Sequence, residues 1–204
     1  MTFTLPAIPS ELRFLGDPAL PPRDWGASAE GTLAITAPAK TDWFLDPGGE
    51  TTILNAPAAL FAPPEEAFTL QARVHVDFTA TFDAGVLALR GGDDLWAKLC
   101  FEYSPQRQPM VVSVVTRGRS DDCNSTTIDG NEVYLRLAVR GAVVAMHYST
   151  NGKRWNLVRY CSLGEVSAPG VGFLAQSPTG EGCAVTFSEI SYRPGFPENL
   201  RDGS

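Results

Sequence analysis

The segment Trp96-Ala-Lys-Leu-Cys-Phe-Glu102 holds the side chains best suited to chemistry. Side chains of an extended chain alternate between two faces, so Trp96, Lys98, Cys100 and Glu102 share one surface and Ala97, Leu99 and Phe101 the other. An indole, a cation and a carboxylate on one face suit a sugar-like ligand, whose ring stacks on the aromatic while its hydroxyls bond the charged groups. The competing reading is a solvated face whose Lys and Glu do nothing specific. Further along, Tyr134 and Arg136 point away from the apolar set of their segment, and His147 does the same if Val144, Met146 and Tyr148 form the buried side. Several long polar groups are thereby available to converge.

Other motifs carry less. The run Ser149-Thr-Asn-Gly-Lys-Arg-Trp155 resembles a shortened Asp-box hairpin of sialidase-like proteins, in which the box is structural, and Asn151-Gly152 reads as a two-residue type I′ turn. Asp121, Asp122 and Asn124 lack the spacing of an EF-hand loop, and His75 and His147 are too few for a histidine metal cluster, so neither a metal nor a cofactor is expected. Gly48-Gly49 and Gly91-Gly92 precede no helix that would cradle phosphate. Cys100, Cys123, Cys161 and Cys183 form no C-x-x-C pair, which predicts reduced structural thiols, of which Cys123, in a polar loop, is the accessible one.

The elements that must position these groups are strands. From Phe68 onward apolar residues recur with period two, and helical spacing is nearly absent. Strands are expected over 68–78, 84–90, 95–103, 110–117, 133–139, 143–148, 155–160, 171–175 and 184–192, the last with a bulge where Val185, Phe187, Ile190 and Tyr192 change register. Residues 118–131 read as a polar loop, and the tail after Arg193 as frayed. In the Pro-rich first 67 residues only 32–36 and 51–54 read as short strands. Many antiparallel strands need a second sheet to cover their apolar faces, so the economical architecture is all-β, a two-sheet antiparallel sandwich. No composition shift or fixed-period repeat divides the chain, and a single domain over 1–204 is expected, with the pattern weakest in 1–40 and 193–204.

Composition excludes several partners. The chain has 204 residues, 44% of them hydrophobic, and 16 Lys and Arg against 23 Asp and Glu give a net charge of −7. With no basic face, nucleic acid is not expected, and no apolar run approaches the roughly 18 to 20 residues of a membrane span. The first ten residues show no basic leader and no continuous apolar segment, which makes a cytoplasmic address the default expectation.

Across about Thr41 to Tyr192 the chain resembles a domain family described as similar to a regulator of enolase, within the concanavalin A-like lectin and glucanase superfamily. The resemblance rests on Thr41-Asp-Trp-Phe44, Asn55-Ala-Pro57, Ala84-Gly-Val86, Trp96-Ala-Lys98 with Glu102, Val114-Val-Thr116, Ser120-Asp121, Ser149 with Asn151-Gly152 and Trp155, and Ser177-Pro178. It implies a jelly-roll sandwich whose concave sheet carries a ligand face, in a family of largely undefined activity. The family's usual Ser-Asp-Trp-Ser run is here Ser120-Asp-Asp-Cys123. Glycosidases of the superfamily often carry Glu-x-Asp-x-Glu on one strand, whereas two and four residues before Glu102 stand Cys100 and Lys98. Lys98 is expected to keep Glu102 ionised, which hinders general-acid work. Asp77, Asp83 and Asp121 remain carboxylates that folding could bring near.

The reading is therefore a domain binding a small polar, carbohydrate-like ligand through Trp96, Lys98, Glu102, Thr116, Asp121 and Arg136, with no catalytic residue assigned. The alternatives are a glycoside hydrolase or lyase, and a module that binds and regulates a metabolic enzyme.

Overall fold

A computed structural model describes all 204 residues. The first strands are β1 (Thr2–Phe3), β2 (Leu12–Leu15), β3 (Asp24–Ala27), β4 (Leu33–Ala37), β5 (Trp43–Leu45), β6 (Thr52–Leu54) and β7 (Ala58–Phe61). Then follow β8 (Ala67–Asp77), β9 (Ala84–Arg90), β10 (Leu95–Tyr103), β11 (Pro109–Arg117) and β12 (Ser120–Thr127). The chain closes with β13 (Glu132–Arg140), β14 (Val143–Ser149), β15 (Asn156–Ser162), β16 (Gly170–Gln176) and β17 (Cys183–Pro194). An eight-stranded sheet runs β1-β2-β7-β16-β9-β10-β11-β12, a seven-stranded one runs β15-β14-β13-β8-β17-β4-β3, and β5 and β6 form a separate hairpin. All pairings are antiparallel, the all-β two-sheet sandwich expected.

The main core lies between the sheets. Leu70, Val74 and Val76 of β8 and Leu135 and Leu137 of β13 meet Leu87, Leu99, Phe101, Val111 and Phe173 from the eight-stranded sheet. Gly85 marks the tightest approach, since a Cβ there would lie 2.6 Å from methyls of both Val74 and Val185. The bulge in β17 falls between Ser188 and Ser191, with Glu189 at φ 48°, where the change of apolar register predicts it.

Three expectations fail. Residues 118–131 contain β12, an edge strand whose residues 121–125 are all exposed; with so little of it buried it shows no hydrophobic alternation. The stretch after Arg193 is not frayed: Gly203 O accepts from Arg136 Nη1 at 2.6 Å, Leu200 O from His147 Nε2 at 2.8 Å, and Phe196 lies beneath the Arg140 guanidinium. The β14–β15 connection is a loop rather than a two-residue type I′ turn. Gly152 has φ 69° but Asn151 is not left-handed; its Oδ1 instead accepts from Lys153 N at 2.9 Å and Arg154 N at 3.0 Å.

Candidate functional site

The eight-stranded sheet has a second face, turned away from the main core. Trp96, Cys100, Val112, Val114, Val86, Ala88 and Leu174 form a smaller apolar cluster there with Trp43, Leu45 and Ala56. A strap over residues 40–56 crosses this face and is clipped at both ends. At one end Thr41 N donates to Ser177 O at 3.2 Å, and Ser177 N to Thr41 Oγ1 at 3.3 Å. At the other, Leu45 N donates to Ser120 Oγ at 3.0 Å, itself 2.9 Å from Thr116 Oγ1. Asn55 ties the end of the strap back to its start, accepting from Asp42 N (2.9 Å) and donating to Lys40 O (3.0 Å).

The strap brings Asp42 onto Lys98. The ammonium, 2% exposed, donates to Asp42 Oδ1 at 2.8 Å and to Gln176 Oε1 at 3.0 Å. Small residues leave it room: Lys98 pairs with Ala88 and Val114, which in turn pair with Gly172 and Asp122. Burial opposes the charge, but Asp42, together with Cys100 and Glu102, holds the Lys98 pKa above its usual value. Sequence reasoning missed Asp42, whose position is set by clips between segments far apart in the chain.

Glu102 shares the face, in a row with Ala84 and Gln176 on one side and Met110 on the other. Burial pushes its carboxyl up to about 8; Lys98 opposes this while Asp122 and Asp42 add to it. The expectation that Lys98 keeps Glu102 ionised is thus overturned: the lysine's charge is already answered by Asp42, and desolvation dominates. Asp122 is also raised, by burial first and by Asp42, against the pull of Lys98. No protein hydrogen bond reaches the side chains of Glu102 or Asn124, and Asp122 has only the backbone N–H of its neighbour Cys123, whereas Lys98 is held on two sides.

The other predicted contacts separate from this group. Trp96 is on the predicted face but is wholly covered, its ring edge-on to Trp43 at 6.0 Å, so it offers no open stacking surface. Thr116 is equally buried beneath β5, occupied by Ser120. Asp121 points the other way from Asp122 and pairs with Arg159 of the opposite sheet at 2.8 Å. Arg136 lies on that sheet too, its guanidinium 3.6 Å from the Trp155 ring centroid and bonded to Gln71 and Gly203. Period-two alternation assigns a face within one strand; it does not say which face of which sheet, nor what crosses over it.

Asp83 is not a partner for Glu102 either. Its Oδ2 accepts from Thr79 N, Thr79 Oγ1 and Ala80 N at 2.8 to 2.9 Å, and its Oδ1 from Ser177 Oγ at 2.6 Å, so it locks a loop. A cavity of about 620 Å³ lies beside the strap, lined by Lys40, Trp43, Asn55, Arg90 and Asp93. It excludes Lys98 and Glu102, and its two cations are already answered by Glu181 and Asp93.

The two antiparallel sheets, of eight and seven strands, form a β-sandwich of the concanavalin A-like type, the fold of the solved structures that match it. The chain belongs to the family described as Protein of unknown function (DUF1349), which matches residues 19–195. It is 33% identical over 138 residues to Regulation of enolase protein 1 of Saccharomyces cerevisiae, covering 67% of this chain and 69% of that protein. The crystal structure of a functionally unknown protein from Saccharomyces cerevisiae matches with a TM-score of 0.81 at 26% identity, over 90% of this chain and 96% of the other. Two more distant structures share the fold alone. The GH43 BlXynB protein from Bacillus licheniformis matches at TM-score 0.68 and 14% identity over 90% of this chain and 36% of its own, and the carbohydrate-binding module CBM66 from Bacillus subtilis at 0.54 and 15% over 83% and 91%.

Proposed function

We propose that this domain binds a small, hydroxyl-rich ligand of carbohydrate type on the outer face of its eight-stranded sheet, over Glu102, Asp122 and Asn124. The observation that carries the reading is the division of labour around Lys98. The ammonium is fixed by Asp42 and Gln176, while the Glu102 carboxyl and the Asn124 amide have no protein partner and Asp122 has only the Cys123 backbone N–H. Polar groups that the fold leaves open to water are available to donors and acceptors supplied from outside. Likeness of fold to a carbohydrate-binding module supports the ligand class. The test is a glycan array of neutral, amino and uronic oligosaccharides, probed with the wild-type protein and Asp122→Asn/Asn124→Ala. Binding by the wild type that weakens at least about tenfold in the variant is expected; equal signals, or none from the wild type, contradict the site.

One observation favours turnover as a second reading. A carboxyl that stays protonated to about 8, on the same sheet face as Asp122, is equipped for general-acid work in a glycoside hydrolase or lyase. Product release from an array ligand in the wild type, absent in Glu102→Gln, would establish it. A metabolic enzyme as partner is supported by the name of the yeast relative. The four unpaired cysteines support a reducing, cytoplasmic setting.

A further inference from the structure

With Trp96 covered, the site needs another aromatic surface if it takes a sugar ring. Phe82 stands at the Glu102 end of the face. Its N–H donates to the carbonyl of Tyr103, the residue after Glu102, at 2.8 Å. Its own carbonyl accepts from Gln176 Nε2 at 3.5 Å, and Gln176 Oε1 holds Lys98. The residue is 37% exposed, one of four large hydrophobics so open to water, and is not one of the buried members of either apolar cluster.

The backbone makes this exposure informative. Phe82 has φ 69°, a left-handed conformation that glycine or asparagine adopts with little strain and a bulky aromatic does not. The loop imposes that conformation. Four hydrogen bonds to the Asp83 carboxylate and the Tyr103 N–H to Asp83 O bond at 3.0 Å leave it one path. A phenyl left more than a third open to water while straining its own backbone is a poor choice for the fold alone. Strain of this kind persists where surrounding structure over-determines it, typically at ligand sites.

Resting on the ligand reading above, we infer that Phe82 is the aromatic platform of the site, the ring against which the apolar face of a saccharide lies while its hydroxyls reach Glu102 and its neighbours. A rigid platform with few rotatable bonds at the edge of a polar group is the arrangement that distinguishes sugar rings from other polyols.

The test is calorimetric titration of the whole protein with cellobiose, xylobiose, chitobiose and digalacturonate, comparing wild type with Phe82→Gly, Phe82→Ala, Phe82→Tyr and Glu102→Leu. For any disaccharide the wild type binds, Phe82→Gly and Phe82→Ala are expected to weaken binding about tenfold or more, and Phe82→Tyr to stay within about threefold. The melting temperature of Phe82→Gly should hold or rise, because glycine relieves the strain. Wild-type affinity in Phe82→Gly, with affinity lost in Glu102→Leu, overturns the platform and leaves the site standing. No binding of any of the four by the wild type overturns both. A melting temperature lowered by several degrees in Phe82→Gly shows a structural role and also overturns the platform.

Discussion

Lys98 Nζ lies 2.8 Å from Asp42 Oδ1 across 56 residues of sequence, in a pair whose side chains are 2% and 14% exposed. The contact ties the strap to the sheet. Removing one partner leaves a buried charge unanswered, so Asp42→Ala should cost about 3 to 5 kcal/mol. Lys98→Met combined with Asp42→Asn should recover much of that loss, since no isolated charge remains. Urea denaturation of the single and double variants measures this; strictly additive losses would show that the pair does not act as a unit.

Glu102 makes stability fall as pH rises. The native carboxyl holds its proton up to about 8, whereas the unfolded chain releases it near the ordinary value of 4.5. Between those values the native state binds more protons, so stability declines across that window. Glu102→Gln carries no such proton and should flatten the slope, gaining on the order of 1 to 3 kcal/mol relative to wild type at pH 8. Parallel stability curves for the two proteins from pH 5 to 8 would contradict the burial of this carboxyl.

His147 works in the opposite direction at the other face. Burial lowers its pKa from the ordinary 6.5, with the Leu200 bond pulling the other way and Arg136 adding to the lowering. As pH falls through the unfolded value, the unfolded chain takes up a proton before the native one, and stability is lost. His147→Gln, which keeps a donor for Leu200 O, should be less sensitive than wild type between about pH 7 and 5.5. Identical acid sensitivity by thermal melting would show that the 196–204 segment does not hold His147 neutral.

Asn151→Ala should lower stability by about 1 kcal/mol through loss of the acceptor for Lys153 N and Arg154 N. The loop joins β14 and β15 of the seven-stranded sheet, remote from Lys98, so saccharide binding should be unchanged. An equal fall in stability and affinity would place the loop in the site.

Native alkylation should modify Cys123 first, then Cys161, and spare Cys100 and Cys183, which are buried. Burial also pushes the Cys100, Cys161 and Cys183 thiols up, away from the reactive thiolate. Rapid labelling of Cys100, or any disulfide in protein purified without oxidant, would contradict the packing described.

Much of the sandwich is legible from Ala67 onward: β8 and the first half of β13 bury one face and alternate, while β9 and β10, buried on both faces, are apolar runs bounded by the turn-forming residues 91–94 and 104–109. The N-terminal strands are less legible for different reasons. In β7 all four residues are buried, so Ala58–Phe61 shows no alternation, and β1 has only two residues. Within the site, Lys98 and Glu102 share the face that alternation gives them. The cover that removes Trp96 and Thr116 from solvent, the partner Asp42 and the orientation of Asp122 depend on long-range crossings that no local pattern encodes. The residues of the family resemblance become intelligible only in the fold: Thr41, Asn55, Ser120 and Ser177 are the clips of one strap.

The most direct test of the central claim is calorimetric titration of wild type and Glu102→Leu, which removes the polar head that Gln would keep, with the best array ligand, alongside their melting temperatures at pH 6. The site described here predicts affinity lost in Glu102→Leu with the fold as stable as wild type or more so. Wild-type affinity in Glu102→Leu would contradict it, and would move the ligand off the Lys98 face.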